Sequence, residues 1–126
     1  MTHDEIAQLD AAGLRLEVAR VKGFIDNREF CENEFLGPDN EWYYLESEYE
    51  ADRIVPNWPA DIAAAWELVE EMRAAGQLVI IKLWPEPAEF FSIEILWKRD
   101  KDGYVQTKGD TAPLAICRAW LMWKQG

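Results

Sequence analysis

Histidine occurs once and cysteine twice in 126 residues, and those scarcities narrow the chemistry at the outset. His3 stands in a terminus expected to fray and reads as an exposed side chain. With it alone, neither a Ser-His-Asp nor a Cys-His arrangement is expected, and paired histidines at metal spacing are missing. Cys31 lies in a polar stretch and Cys117 in an apolar one. Two such distant cysteines read as free thiols rather than a bridge. There is no Cys-x-x-Cys and no Gly-rich phosphate loop. No run approaches the roughly 20 apolar residues of a membrane span, and Met1-Thr-His-Asp-Glu5 does not resemble a signal peptide, so a cytoplasmic protein is expected. Asp100-Lys-Asp-Gly103 has part of a calcium loop, but Lys98 and Gly109 occupy the places of its first and twelfth carboxylates, which leaves a hairpin turn. Nothing singles out one pair among the 24 acids as general acid and base. Catalysis, a cofactor and a metal are all unexpected.

Basic residues are also scarce in one place. Residues 24–58 carry ten acids (Asp26, Glu29, Glu32, Glu34, Asp39, Glu41, Glu46, Glu48, Glu50, Asp52) against Arg28 and Arg53, a net −8 of the chain's −11. Such a surface repels nucleic acid, whose binding rests on cationic neutralisation of phosphate. It reads either as a solvated surface loop or as a surface that meets a basic partner. The segment shows no sustained hydrophobic period. Gly37-Pro-Asp-Asn40 is turn chemistry, with short strands possible at Glu41–Leu45 and Arg53–Pro56. Its length without a firm element marks an insertion or functional loop, or else an element that the pattern does not reveal. Trp42, Tyr43 and Tyr44 are adjacent and cannot all point inward from a strand. They either cap one edge of the core or stack on a ligand or partner.

What is abundant is apolar residues, 49% of the chain, including seven Trp. That suits one folded domain with a single core. Thr2-x-x-Glu5 has the form of a capping box and opens a short helix through Leu9. Asp10 caps a second helix, residues 11–22, which Gly23 ends. Ile62, Trp66, Val69 and Met72, widened by Ala65 and Leu68, form the apolar stripe of a third helix. Pro59 suits its first turn and Gly76 its stop. Leu78 to Trp84 then reads as a strand. Pro85-Glu-Pro87 breaks it, Glu89 to Trp97 is the next strand, and Tyr104 to Thr107 a third. The last helix starts at Asp110-Thr-Ala-Pro113, with Asp110 or Thr111 as cap. It bears two apolar rows: Leu114, Cys117 and Leu121, then Ile116, Trp120 and Trp123. Two rows imply contacts on two sides, one of which suits a homo-oligomer through residues 112–124.

The runs Asp61-Ile-Ala-Ala-Ala-Trp-Glu-Leu-Val-Glu-Glu-Met72 and Gly109-Asp-Thr-Ala-Pro-Leu-Ala-Ile-Cys-Arg-Ala119 resemble the two signature segments of the phage ABA-sandwich domain family. The opening Thr-x-x-Glu-Ile and Val21-Lys-Gly23 are similar to that family's start. The resemblance covers residues 1–23 and 57–126 and leaves the acidic middle unaligned; Pro59 stands where such proteins often have a Ser cap. It implies a three-layer α/β/α sandwich and a phage or prophage origin, and it brings no catalytic residues. Spacing gives a compatible α+β reading: a three-stranded antiparallel meander with helices on both faces, in the order α, acidic segment, α-β-β-β-α. Double-stranded-RNA-binding domains share the α-β-β-β-α order, but they place lysines at the start of the last helix, where this chain has none. RNA binding is not expected.

Three functional readings follow. The first is a binding protein that occupies a basic surface of a host protein, in antagonism of a bacterial defence system. The second is a sponge for a small nucleotide signal, stacking on Trp42, Tyr44, Trp58 or Trp84 with Arg53 or Arg99 near a phosphate. The third is a virion or morphogenesis component. The expected contact residues are Trp42, Tyr43, Tyr44, Glu46, Glu48, Glu50, Arg53, Trp58 and Trp84.

Overall fold

A computed structural model describes residues 1–47, 49–83, 91–96 and 104–125. The expected turns at Pro85-Glu-Pro87 and Asp100–Gly103, and Glu48, Trp84, Trp97 and Arg99, lie outside the described residues.

Local signals set most of the elements. Helix α1 (His3–Gln8) carries the reciprocal capping box: the Thr2 hydroxyl accepts from Glu5 N, and the Glu5 carboxylate accepts from Thr2 N, both at 3.1 Å. Helix α2 (Ala11–Lys22) is capped by the Asp10 carboxylate, which accepts from Gly13 N at 2.8 Å, and ends on Gly23 at φ 100°. A small antiparallel sheet follows, with order β1 (Ile25–Asp26), β2 (Glu34–Leu36), β3 (Trp42–Tyr44). The acidic stretch is therefore folded, and Phe35, Val55 and Trp58 from it are buried in the common core.

Helix α3 (Ile62–Ala74) begins later than Pro59 leads one to expect. Asp61 is its cap, accepting from Ala63 N at 3.0 Å, while Pro59 sits in a preceding turn closed by Ala60 N and Asp61 N donating to Asn57 O. Gly76, at φ 87°, ends it: Gly76 N donates to Arg73 O and Gln77 N to Met72 O. The expected stripe is rotated. Ala65, Leu68, Val69 and Met72 are buried, whereas Ile62 is 53% and Trp66 46% exposed, because α3 packs chiefly against the last helix and meets the meander mainly at its first strand.

That meander is antiparallel, β4 (Leu78–Leu83), β5 (Phe91–Leu96), β6 (Tyr104–Gly109), in that spatial order. Ile81 faces Ile93, which faces Thr107. Helix α4 (Ala112–Gln125) lies across β5 and β6. The buried Thr107 hydroxyl donates to Ala115 O at 2.8 Å, and Gly109 passes so close that a Cβ there would stand 2.6 Å from Ala115 N. The opposite face of the sheet carries exposed Leu78, Lys82, Gln106 and Lys108.

Helix α4 is the hub. Helices α1, α2 and α3 all pack on it, and seven of its residues from Ala115 to Met122 are buried. Of its two apolar rows, Cys117, Leu121, Ile116 and Trp120 are buried against the chain's own elements, while Leu114 and Trp123 are half-buried. Glu71 ties three helices together here. Its Oε2 accepts from Trp120 Nε1 at 3.1 Å and from Lys22 Nζ at 3.3 Å, and its Oε1 meets Lys124 Nζ at 2.9 Å. Burial pushes the Glu71 carboxyl up, but Lys124 and Lys22 outweigh that and hold it below its ordinary value. The α+β class and the three-stranded antiparallel meander agree with the sequence pattern.

Candidate binding surface

The β1–β3 sheet is built by side-chain contacts rather than by strand length. Asn33, at φ 71°, pins the far end: its amide donates to Glu46 O at 2.9 Å and accepts from Glu46 N at 3.0 Å. Asn27 Nδ2 donates to Glu34 Oε1 at 2.7 Å. The expected Gly37–Asn40 turn joins β2 to β3, with Asn40 at φ 64° and Glu41 N donating to Asp39 Oδ1. Tyr44 bridges Ile54 in parallel. The sheet is tied to the helices by Arg15 of α2, whose guanidinium donates to Leu45 O at 3.1 Å and Val55 O at 2.5 Å. Burial lowers the pKa of that guanidinium and Glu46 opposes the shift.

One side of this sheet enters the core through Phe35, with Val55 and Trp58 beside it. The other side is acidic and carries exposed apolar groups. Phe30 is 84% and Tyr49 71% exposed, and Ile25 and Trp42 are exposed as well. A cup of about 190 Å³ opens between Tyr44, Tyr49, Glu32, Glu34, Glu46 and Asp52, next to a wider depression that shares Glu32, Asn33 and Glu46. Two of the acids are partly neutralised at the edge. Arg28 hydrogen bonds hold the Asp26 carboxyl below its usual range. The Tyr43 hydroxyl, donating to Asp39 at 2.8 Å, lowers Asp39 and is itself raised by it. Glu29, Glu32, Glu41, Glu46 and Glu50 are exposed. Among the described residues no group of three or more His, Cys, Asp or Glu is placed to hold a metal ion.

The structure gathers some of the expected contact residues and disperses others. Trp42, Tyr44, Glu46 and Glu50 belong to the acidic sheet and its rim. Tyr43 is half-buried, edge-on to Phe24 at 5.0 Å. Arg53 pairs with Asp39 at 3.4 Å. Trp58 is a correction: it is 1% exposed, packed edge-on against Phe24, and cannot stack on a ligand. Phe30, Tyr49, Glu32, Glu34 and Asp52 were not foreseen. A three-residue strand is too short to show alternation, and the available signal was the pair of turn-forming Asn27 and Asn33 that bracket Phe30. A larger cavity, about 590 Å³, lies by Gln106–Asp110, Arg118 and Met122. None of the expected residues among the described ones lines it, and Arg118 is engaged there with Lys108 O and Leu9 O.

The profile of the Phage ABA sandwich domain matches residues 18–121, straight through the acidic segment. The chain belongs to the phage ABA-sandwich domain family. The acidic sheet therefore falls within the family's domain rather than outside it. No curated protein and no solved structure matches the chain.

Proposed function

We propose that this phage protein acts by binding, not catalysis: it occupies a basic surface of a host protein in the cytoplasm and thereby antagonises a bacterial defence system. The observation that carries the reading is the outer side of β1–β3 with the turns beside it, where exposed Trp42, Ile25, Phe30 and Tyr49 are interleaved with exposed carboxylates. Aromatic anchors provide the contact area of an interface core. The surrounding acids steer a cationic partner and set the salt dependence of association. Phage origin supplies the context in which occupying a host protein is useful.

The test combines plating efficiency of a phage on hosts carrying a defence system with binding of the identified target at two salt concentrations. Replacing Glu32, Glu46 and Glu50 by Gln should reduce protection, weaken binding at least tenfold at low salt and flatten its salt dependence. Protection that survives both this triple change and a Phe30→Ala/Tyr49→Ala double change would remove the proposal. The nucleotide-sponge reading draws no support from an assembled stack, since Trp58 is interior and Arg53 is held by Asp39.

A further inference from the structure

The meander has an open edge beside an uncovered helix flank. Among the described residues no strand pairs with the outer side of β4. That strand, Leu78-Val-Ile-Ile-Lys-Leu83, has no proline and one charge, so it lacks most of the usual guards of an exposed edge. Directly paired residues share a face of the sheet, so Ile81, in line with the buried Thr107, points to the helix side, as does Val79, which packs on the core. Yet Ile81 is 38% exposed. Helix α4 lies mainly over β5 and β6, and α3 reaches β4 with Ile62 and Trp66 outward.

The helix-to-strand turn brings these groups level. Going back along α3 from Ala74 to Trp66 spans about 12 Å at 1.5 Å per residue. Leu78 to Ile81 spans about 10 Å along β4. Trp66 therefore stands level with Ile81, and exposed Ile62 lies about one turn further along α3, so that an apolar strip runs along this flank beside a strand edge that no described strand pairs with.

We propose that this strip and edge are the interface of a two-fold homodimer, in which the β4 strands of two copies pair antiparallel and join two three-stranded sheets into one. A two-fold interface requires a self-complementary surface, and β4 supplies one. With Ile80 on the axis, Val79 faces Ile81 of the second copy and Leu78 faces its Lys82, so no like charges are opposed. Charge also permits the approach. The net −8 of residues 24–58 lies in the other sheet, whereas residues 62–83 carry Glu67, Glu70 and Glu71 against Arg73 and Lys82, a net −1. The pairing covers Trp66 and Ile62 of both copies and leaves both acidic surfaces free.

Sedimentation velocity and light scattering decide it. The wild-type chain should run at twice its 14.6 kDa. Trp66→Glu and Ile81→Lys should each weaken association at least tenfold, with unchanged far-UV circular dichroism, and Glu50→Gln should leave the mass unaltered. Ile80→Cys in a Cys31→Ser background should cross-link on oxidation, since facing positions of an antiparallel pair lie within disulfide reach. The remaining Cys117 is buried, and that burial pushes its thiol up to about 12. A wild-type mass of one chain overturns the proposal, as does a dimer untouched by both charge substitutions or one that Ile80→Cys fails to link. A monomer that retains defence antagonism sinks this inference alone and spares the reading of the acidic surface.

Discussion

The two sheets of this protein are made by different means. In β4–β6 the strands are six residues each and pair along their full length, so the backbone ladder does most of the work. In β1–β3 the strands are two or three residues. Ladders that short are marginal alone, and the sheet persists because Asn27, Asn33 and Arg15 fasten it and Phe35, Val55 and Trp58 anchor it in the core. The lesson is that an acidic, loop-like stretch can be an integral part of a domain when a few large side chains root it. It can then show its charge and its spare aromatics outward.

The sharpest way to break that comparison is to remove a root. Trp58→Ala should cost about 3–5 kcal/mol, the usual loss for a buried aromatic, and lower the melting temperature of the whole chain. Trp42→Ala, on the exposed side, should change stability by no more than about 0.5 kcal/mol. Equal melting temperatures for the two variants would show that the small sheet is not rooted where the packing places it. A smaller loss is expected at the fastening. Arg15→Ala leaves the Leu45 and Val55 carbonyls without their guanidinium donor and should cost about 1–3 kcal/mol. Hydrogen exchange should speed up around residues 45–55 and stay unchanged in β4–β6; a uniform increase would mean the clamp serves the whole fold.

The least effect concerns pH. The folded pKa of Glu71 is below its ordinary value of 4.5, so its stabilisation is full above that value and is lost as pH falls through the lower folded pKa. Glu71→Gln should therefore flatten the fall of melting temperature at acid pH. A slope unchanged by that substitution would show that Glu71 does not carry the acid sensitivity.

Local chemistry was legible. The Thr2/Glu5 box, the Asp10 cap, the left-handed Gly23 and Gly76, the Gly37–Asn40 turn and the β4-β5-β6 order each depend on a few neighbouring residues, and each stands in the structure. The binding surface was legible only in part. Trp42, Tyr44, Glu46 and Glu50 could be picked out by type, but Phe30 and Tyr49 lie in turns beside a sheet whose strands are too short to carry a period. Trp58 was misplaced for the complementary reason: nothing near it in sequence shows that Phe24 and the core lie over it.

The sequence by itself determined where helices start and stop, which strands form hairpins and where negative charge accumulates, because those are matters of backbone geometry and composition over a few residues. Tertiary structure alone decided which side of each element is inside. It turned Ile62 and Trp66 outward, drew Trp58 inward and buried the middle of α4 from Ala115 to Met122 under three other helices, since burial depends on what packs opposite, and those partners come from distant parts of the chain.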